Sequence, residues 1–187
     1  MAKIIIINTT PRKGGNCEVL AKRILVGLAD SDPTYIDFKE ADIRYCQGCD
    51  WCKHQDSAQC IQKDDMGALV PELDSCDALV LLSPIYYGEL TAQAKTFVDR
   101  SYPFFNPAKP NMSMASKGGK KFALVTTCGG SDEEYQAYDE KLAQTFAVCG
   151  FSEQKVLALG GGSVPGSLAD DAAVQAKIAD LVDWIKA

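Results

Sequence analysis

Five short apolar runs, separated by segments of a different character, most constrain the fold that this chain can adopt. The runs are residues 3–7, 34–38, 78–82, 122–126 and 156–159. Four of them are continuously apolar, whereas a strand with one face in water would alternate apolar and polar residues. The pattern therefore predicts five strands of a parallel sheet that is covered on both faces.

The segments between these runs carry apolar residues at helical spacing. The predicted helices are residues 16–30, 64–75, 132–149 and 170–187. In the first of them Leu20, Ile24 and Leu28 recur every fourth residue, and after the third Gly150 follows as a suitable C-terminal residue. Pro71 is expected to kink or divide the second helix.

Strands that alternate with helices predict a parallel sheet with right-handed crossovers. The predicted fold is α/β: a flavodoxin-like, doubly wound five-stranded parallel sheet of strand order 2-1-3-4-5, with helices on both faces. We expect residues 1–187 to form a single domain. Residues 101–120 are the one long segment without a predicted element, and loops of that length are often functional.

The composition argues against two broad classes of function. The chain carries 19 basic and 25 acidic side chains, a formal net charge of −6, so we expect no binding to nucleic acid. No apolar stretch approaches the length of a membrane span, so no membrane association is expected. The first strand follows the N-terminus directly, in place of a signal peptide, which predicts a cytoplasmic location. In that reducing compartment, clustered cysteines indicate metal or redox chemistry more often than disulfides.

The first strand runs into the turn NTTPRKGGNCE, residues 8–18, which has the features of a phosphate site. The side chains that can donate hydrogen bonds there are Thr9, Thr10, Asn16 and Cys17. Arg12 adds a fixed positive charge, and the following helix presents its free N–H groups. The glycine spacing matches neither the Walker loop nor the Rossmann fingerprint. The helix start is also expected to lower the pKa of Cys17, so that its thiol contacts the phosphate. The alternative is an ordinary polar turn.

The third strand is followed by an aromatic segment at the same edge of the predicted sheet. In SPIYYGELTAQAKTFVDR, residues 83–100, Tyr86 and Tyr87 offer aromatic faces and Gly88 allows close approach of the backbone. The fourth strand ends in another glycine-bearing loop, TTCGGSDEE. An aromatic lip beside a phosphate site suits a flat heteroaromatic ring, although either tyrosine could simply pack under a loop.

These motifs resemble the NADPH-dependent FMN reductase family of the flavodoxin-like superfamily, and more narrowly the iron–sulfur flavoproteins. The resemblance spans roughly the first 130 residues and rests on TTPRKGGNCE, on a cysteine cluster followed by KDDM, and on SPIYYGELTAQAKTFVDR. It implies that the phosphate of FMN is held by Thr10, Arg12, Asn16 and Cys17. It implies that the isoalloxazine ring is lined by Pro84, Ile85, Tyr86, Tyr87 and Gly88, with Cys128, Gly129 and Gly130 on a third side. Residues 8–10 depart from the family pattern, which usually has Ser or Gly there.

Four of the eight cysteines lie within YCQGCDWCKHQDSAQC, a loop at residues 45–60 with the spacing C-x2-C-x2-C-x7-C. By resemblance to the iron–sulfur flavoproteins, the ligands of a [4Fe–4S] cluster would be Cys46, Cys49, Cys52 and Cys60. The residue types agree in part, because thiolates are soft ligands and three of them on a short turn can face one cluster. Zinc, disulfides and free thiols remain alternatives. Trp51 would shield the centre, and His54 is expected to be a solvent-exposed loop residue.

The resemblance implies an FMN-dependent oxidoreductase that passes electrons between NAD(P)H or a ferredoxin-like donor, FMN and an acceptor, with the cluster as a relay. The alternatives are a cluster-free NAD(P)H:quinone, azo or nitro reductase, and a non-catalytic electron carrier or redox sensor. The expected partner is a small-molecule acceptor or a redox protein such as ferredoxin, and the expected assembly is a homodimer or homotetramer. No side chain is predicted to act as a catalytic acid or base, and Asp99 and Arg100 are expected to form a structural ion pair.

Overall fold

The computed structural model describes residues 2–187, in which six strands form one sheet with five α-helices around it. The strands are β1 (Ile4–Asn8), β2 (Thr34–Asp37), β3 (Ala78–Tyr86), β4 (Glu89–Leu90), β5 (Lys121–Thr127) and β6 (Glu153–Leu159). The helices are α1 (Asn16–Gly27), α2 (Asp65–Ser75), α3 (Ala92–Arg100), α4 (Gln136–Thr145) and α5 (Ala172–Lys186).

The sheet has the order β2-β1-β3-β5-β6, and all four of these pairings are parallel. The two-residue strand β4 lies off this path and pairs antiparallel with the end of β3. Counted without β4, the parallel strands follow the order 2-1-3-4-5, which confirms the predicted flavodoxin-like α/β fold. The strand order reverses between β1 and β3, and doubly wound sheets bind ligands in the crevice at that point.

The two covered faces explain why the strands are continuously apolar. In β1, Ile4 and Ile6 belong to the core that α1 and α5 cover, while Ile5 and Ile7 belong to the core under α2, α3 and α4. All four isoleucines are buried. Burying such a side chain stabilises the fold by roughly 1.5–3 kcal/mol, so β1 anchors both layers of helices.

Helix α2 runs from Asp65 to Ser75 through Pro71, so the proline does not divide it. Its first turn is capped by the Asp64 carboxylate, which accepts a hydrogen bond from the Gly67 N–H at 2.9 Å. One face of the helix is buried through Met66, Leu69, Val70 and Leu73. This cap and this packing outweigh the backbone hydrogen bond that proline removes.

Two elements, α3 and β4, are missing from the sequence prediction and lie within residues 83–100. Helix α4 is shorter than predicted, because a 3₁₀ turn at Phe146–Cys149 replaces its last part. Gly150 follows with a φ of 86°, the left-handed C-terminal conformation expected of it.

Residues 101–120 form an ordered segment with two short 3₁₀ turns, Tyr102–Phe104 and Pro110–Met112. Phe104 is fully buried within this segment. The adjoining Lys120 ammonium is also buried, where it donates to the Leu73 carbonyl at 2.9 Å and lies 4.2 Å from the Phe151 ring centroid. Within residues 2–187, no helix is long and apolar enough to cross a lipid bilayer.

Candidate cofactor crevice and cysteine cavity

The ends of β1, β3 and β5 open onto a crevice of about 190 Å³ at the point where the strand order reverses. Nine of the thirteen residues predicted to bind FMN line it: Thr10, Arg12, Asn16, Cys17, Pro84, Ile85, Tyr86, Cys128 and Gly129. The other four are not part of this lining: Thr9, Tyr87, Gly88 and Gly130. The binding roles themselves remain predictions, but the structure brings most of these residues to one place.

The start of α1 gives the crevice an anion-binding end. The N–H groups of Asn16 and Cys17 have no hydrogen-bond partner within the described chain. Arg12 is exposed beside them and forms no ion pair with any residue from 2 to 187. A Cβ on Gly15 would lie 3.2 Å from the Thr10 hydroxyl oxygen, so glycine allows this tight approach. Free N–H groups, a helix dipole and an unpaired guanidinium fit a phosphate.

Glu18, in the first turn of α1, does not line the crevice and has partners of its own. Lys22 at 2.8 Å, together with the Gly14 N–H and Lys39, outweighs burial and lowers the pKa of Glu18 to about 2. The carboxylate thus caps the turn while two lysines balance its charge.

The side chains of Asn16 and Cys17 have partners other than a phosphate. Asn16 Nδ2 donates to the Gly162 and Val164 carbonyls at 3.0 and 3.1 Å. The Cys17 thiol is buried against the Thr127 hydroxyl at 3.3 Å. Burial raises the pKa of Cys17 to about 12, although the Thr127 hydrogen bond acts in the opposite direction. The expected lowering of this pKa is therefore wrong, and both residues can reach a phosphate only through backbone N–H groups.

Thr9 does not point into the crevice either. Its hydroxyl donates to the Leu82 carbonyl at 2.7 Å, and its own carbonyl accepts from the Thr91 hydroxyl at 3.2 Å. Thr9 is fully buried, so its predicted side-chain bond to a phosphate is not available. Its observed role is to tie the end of β1 to β3 and to the start of α3.

The aromatic lip is the tip of a β-hairpin formed by β3 and β4. Tyr87 and Gly88 have φ values of 54° and 85°, and Tyr86 pairs with Glu89 across them. Positive φ at both central residues is the geometry of a type I′ turn. Tyr86 lines the crevice, whereas Tyr87 is fully exposed at the tip. A bulky residue in the left-handed region is strained, and such strain is often found at functional sites.

The third wall of the crevice comes from two glycine-bearing loops that follow β5 and β6. The Gly162 N–H donates to the Cys128 carbonyl at 2.8 Å, and the Gly161 N–H donates to the Gly130 carbonyl at 2.8 Å. Gly162, Ser163 and Pro165 line the crevice, and sequence reasoning missed them. Their signal was the run GGGSVPG directly after the last strand, at the edge where the other loops gather.

The four cysteines of the loop at residues 45–60 meet around one small cavity. All four are free thiols and line a space of about 30 Å³: Cys46, Cys49, Cys52 and Cys60. In the described chain, no group of three or more His, Cys, Asp or Glu side chains is arranged closely enough to hold a metal ion. The structure therefore gathers the thiols without bringing them to ligand distances.

A buried ion pair closes this cysteine loop at both ends. Arg100 Nη1 and Nη2 each donate to an Asp64 oxygen at 2.7 Å, and Nη1 also donates to the Arg44 carbonyl at 2.6 Å. Burial raises the pKa of Asp64, but hydrogen bonds from Arg100, Arg44 and Gly67 outweigh it and hold this pKa well below its ordinary value. The expected pair of Asp99 with Arg100 is wrong, because Asp99 pairs with Lys95.

A second contact ties the cysteine loop to the aromatic segment after α3. The Lys53 ammonium donates to the Tyr102 carbonyl at 2.6 Å and lies 3.2 Å from the centroid of the Tyr102 ring. It also donates to the Phe105 carbonyl. Burial lowers the pKa of Lys53. The loop is thus held on both sides, by the ion pair and by this lysine.

Comparison with known proteins agrees with this geometry. The family model of NADPH-dependent FMN reductases matches residues 2–168. An iron–sulfur flavoprotein of Archaeoglobus fulgidus is 31% identical over 172 residues, which are 90% of this chain and 73% of the relative. An iron–sulfur flavoprotein of Methanocaldococcus jannaschii is 26% identical over 197 residues, covering 98% of this chain and 99% of the relative.

A solved structure of an FMN-dependent NADH-azoreductase from Bacillus anthracis, in complex with FMN, has the same fold. Its TM-score is 0.71 over 99% of both chains, at 14% sequence identity. The crevice at the strand ends, the anion-binding helix start and the match of the family model over most of the sequence lead to one conclusion. The chain belongs to the NADPH-dependent FMN reductase family and is an FMN-binding oxidoreductase.

Proposed function

We propose that this oxidoreductase works in the manner of an iron–sulfur flavoprotein, taking electrons from NAD(P)H and passing them through FMN and a [4Fe–4S] cluster. The observation that carries the proposal is the meeting of Cys46, Cys49, Cys52 and Cys60 around one cavity. The names of the two archaeal relatives support the same assignment.

The FMN side of the proposal fits the crevice. The phosphate would be held by the N–H groups of Asn16 and Cys17 and by Arg12, and the ring would lie against Ile85 and Tyr86. When bound, FMN supplies two-electron exchange with a nicotinamide and one-electron exchange with a metal centre. The protein contributes position and electrostatics, and no side chain is assigned as an acid or base.

The cluster side fits by the chemistry of its donors. All four side chains are thiols, which suit iron–sulfur clusters or zinc and do not suit magnesium or calcium. The loop must draw its thiols closer when it binds metal, because they are not at ligand distances within residues 2–187. A bound cluster supplies storage for a single electron.

Helix α3 connects the two sites. It is capped by Thr91, whose hydroxyl donates to the Thr9 carbonyl at the end of β1, and it ends at Arg100 on the cysteine cavity. Its nine residues span roughly 14 Å at 1.5 Å per residue. Helix α3 therefore runs from Thr9, the neighbour of the crevice residue Thr10, to the cysteine cavity.

The deciding experiment is anaerobic purification with FMN, iron, sulfide and zinc quantified on one sample. We expect about one FMN with about four iron and four sulfide per chain, as a [4Fe–4S] centre requires. Cys49→Ser should remove the iron and keep the FMN. The matched control is Cys76→Ser, because Cys76 is buried away from the cavity and donates to the Leu73 carbonyl at 3.2 Å. Zinc in place of iron, or iron unaffected by Cys49→Ser, would contradict the proposal.

A cluster-free NAD(P)H:quinone, azo or nitro reductase is the second candidate. It is favoured by the lack of a metal-holding arrangement of the thiols within residues 2–187 and by the fold shared with the azoreductase. FMN without iron, together with steady NAD(P)H consumption in the presence of a quinone, would establish it. Failure to consume NAD(P)H with any small acceptor would instead favour a non-catalytic carrier with a ferredoxin-like partner. A homodimer or homotetramer in the cytoplasm remains part of the proposal.

A further inference from the structure

We propose that Arg100 is a hydrogen-bond donor to the centre held by the four cysteines and raises its reduction potential. The inference rests on the iron–sulfur form of the proposed function. It gives a redox role to a residue whose sequence context predicts only a structural ion pair.

The guanidinium of Arg100 contacts a proposed ligand directly. Only 1% of its surface is exposed, and its Nη2 lies 3.5 Å from the Cys60 sulfur as a donor. The bidentate pair with Asp64 fixes the plane of the guanidinium, so this contact has a defined direction. A lysine at this position would have the charge without the fork of donors.

One donor of the guanidinium is left over. Arg100 Nε is buried and has no hydrogen-bond partner among residues 2–187. A buried donor without a partner is unfavourable, so such groups in proteins are usually satisfied by a bound partner. Arg100 lines the same cavity as the four thiols, so a sulfur acceptor bound there is the partner that we infer for Nε. The sulfides and thiolates of an iron–sulfur cluster are acceptors of this kind.

Hydrogen bonds to the sulfurs of a cluster, and positive charge near it, favour the more negative reduced form. Both act here, because a guanidinium stays protonated at every working pH. The Asp64 carboxylate offsets part of the charge, but the hydrogen bond to Cys60 remains. Arg100 should therefore raise the reduction potential of the centre without taking part in the chemistry of FMN.

The test is an anaerobic redox titration of the holoenzyme, with the reduced cluster followed by electron paramagnetic resonance. Arg100→Lys keeps a positive charge for Asp64 and removes the Nε donor. We expect the iron content to stay the same and the reduction potential of the cluster to fall by about 59 mV. For one electron, this shift is a tenfold change in the equilibrium constant for reduction. The potential of the bound FMN should not change.

A matched control and a second variant guard against effects of folding. Arg44→Lys changes an exposed arginine next to the same carboxylate, 3.8 Å from Asp64, and should leave the cluster potential unchanged. The double variant Arg100→Gln with Asp64→Asn removes both buried charges together, so neither is left unpaired, and it should lower the potential at least as far as Arg100→Lys.

Two outcomes would overturn the inference. One would be seen in the Arg100 variants and the other in the wild-type protein. Arg100→Lys and the double variant could hold a full cluster at the wild-type potential, which would refute the role of Arg100 alone. The wild-type protein could hold no iron after anaerobic reconstitution, which would refute the iron–sulfur form and the role of Arg100 with it.

Discussion

The candidate FMN crevice and the cysteine cavity are built from different parts of the chain. The crevice is formed largely by backbone: free N–H groups at the start of α1 and carbonyls that link loops, such as Cys128 to Gly162. The cavity is formed by side chains: four thiols with the Arg100–Asp64 pair beside them. Backbone groups are positioned by the sheet, whereas side chains must be positioned by other side chains.

This difference predicts how each site responds to substitution. The crevice is attached to strands whose residues are buried on both faces, so single side-chain changes there should alter ligand affinity more than stability. The cavity depends on one buried ion pair that joins α2, α3 and the two ends of the cysteine loop. Removing one partner of such a pair leaves an uncompensated buried charge. A substitution in this ion pair should therefore destabilise the whole cysteine loop.

The largest effect is expected from Asp64→Ala. It leaves the Arg100 guanidinium buried without its partner and removes the cap of α2, so the free energy of unfolding should fall by about 3–5 kcal/mol. Urea unfolding of the purified protein measures it. Asp65→Ala is the matched control, because Asp65 accepts from the Asp42 N–H in an exposed position. If Asp64→Ala lowered the free energy of unfolding no more than Asp65→Ala does, the cysteine cavity would not depend on the buried ion pair.

The next effect is expected from one buried carboxyl between α4 and β5, which belongs to neither site. Asp139 is fully buried, accepts from the Thr126 hydroxyl, and has an Oδ1 without a partner in the described residues. Burial raises the pKa of Asp139 to about 6, despite the Thr126 hydrogen bond. Because the folded pKa is raised, the stability from this group is complete below about pH 4 and is lost as the pH rises through about 6.

Asp139→Asn should remove that pH dependence. Between about pH 4 and pH 8 the wild-type free energy of unfolding should fall by about 2–3 kcal/mol more than that of the variant, since one pKa unit is worth 1.36 kcal/mol. Denaturant titrations across this range make the comparison. If the free energy of unfolding of the two proteins changed with pH in parallel, the pKa of the Asp139 carboxyl would not be raised in the folded state.

Arg12→Ala tests the crevice itself. Loss of a charge-assisted hydrogen bond should weaken FMN binding by about 2 kcal/mol, roughly 30-fold in Kd, with little change in the free energy of unfolding of the apoprotein. Flavin fluorescence titration measures it. Lys13→Ala is the control, because Lys13 is an exposed neighbour that does not line the crevice. Equal FMN affinity in wild type and Arg12→Ala would remove Arg12 from the site.

Sequence patterns could predict the sheet order and most of the crevice, because buried strands and glycine-bearing turns are determined by residues that are close together in the sequence. They could not predict which way a side chain points. Thr9 and Cys17 look like donors in the turn, but Leu82 of β3 and Thr127 of β5 take up their polar atoms. The partner of Arg100 is Asp64, 36 residues away, and no local pattern shows that pairing. Long-range side-chain contacts are what the sequence alone leaves open.

The smallest effect is expected at the hairpin tip, where a bulky side chain occupies an unfavourable backbone conformation. Tyr87 has a φ of 54° in a type I′ turn, a position that Asn adopts readily and a bulky aromatic does not. Tyr87→Asn should therefore stabilise the fold by about 1 kcal/mol, and Tyr87→Phe, which keeps the strain, should not. Thermal unfolding of the three proteins measures the difference in stability.

Because Tyr87 does not line the crevice, FMN affinity should stay the same in both variants. A stabilised Tyr87→Asn protein with slower NAD(P)H oxidation would mean that the strain is retained for the electron donor or acceptor. A Tyr87→Asn protein less stable than wild type would show that the exposed ring has a packing partner.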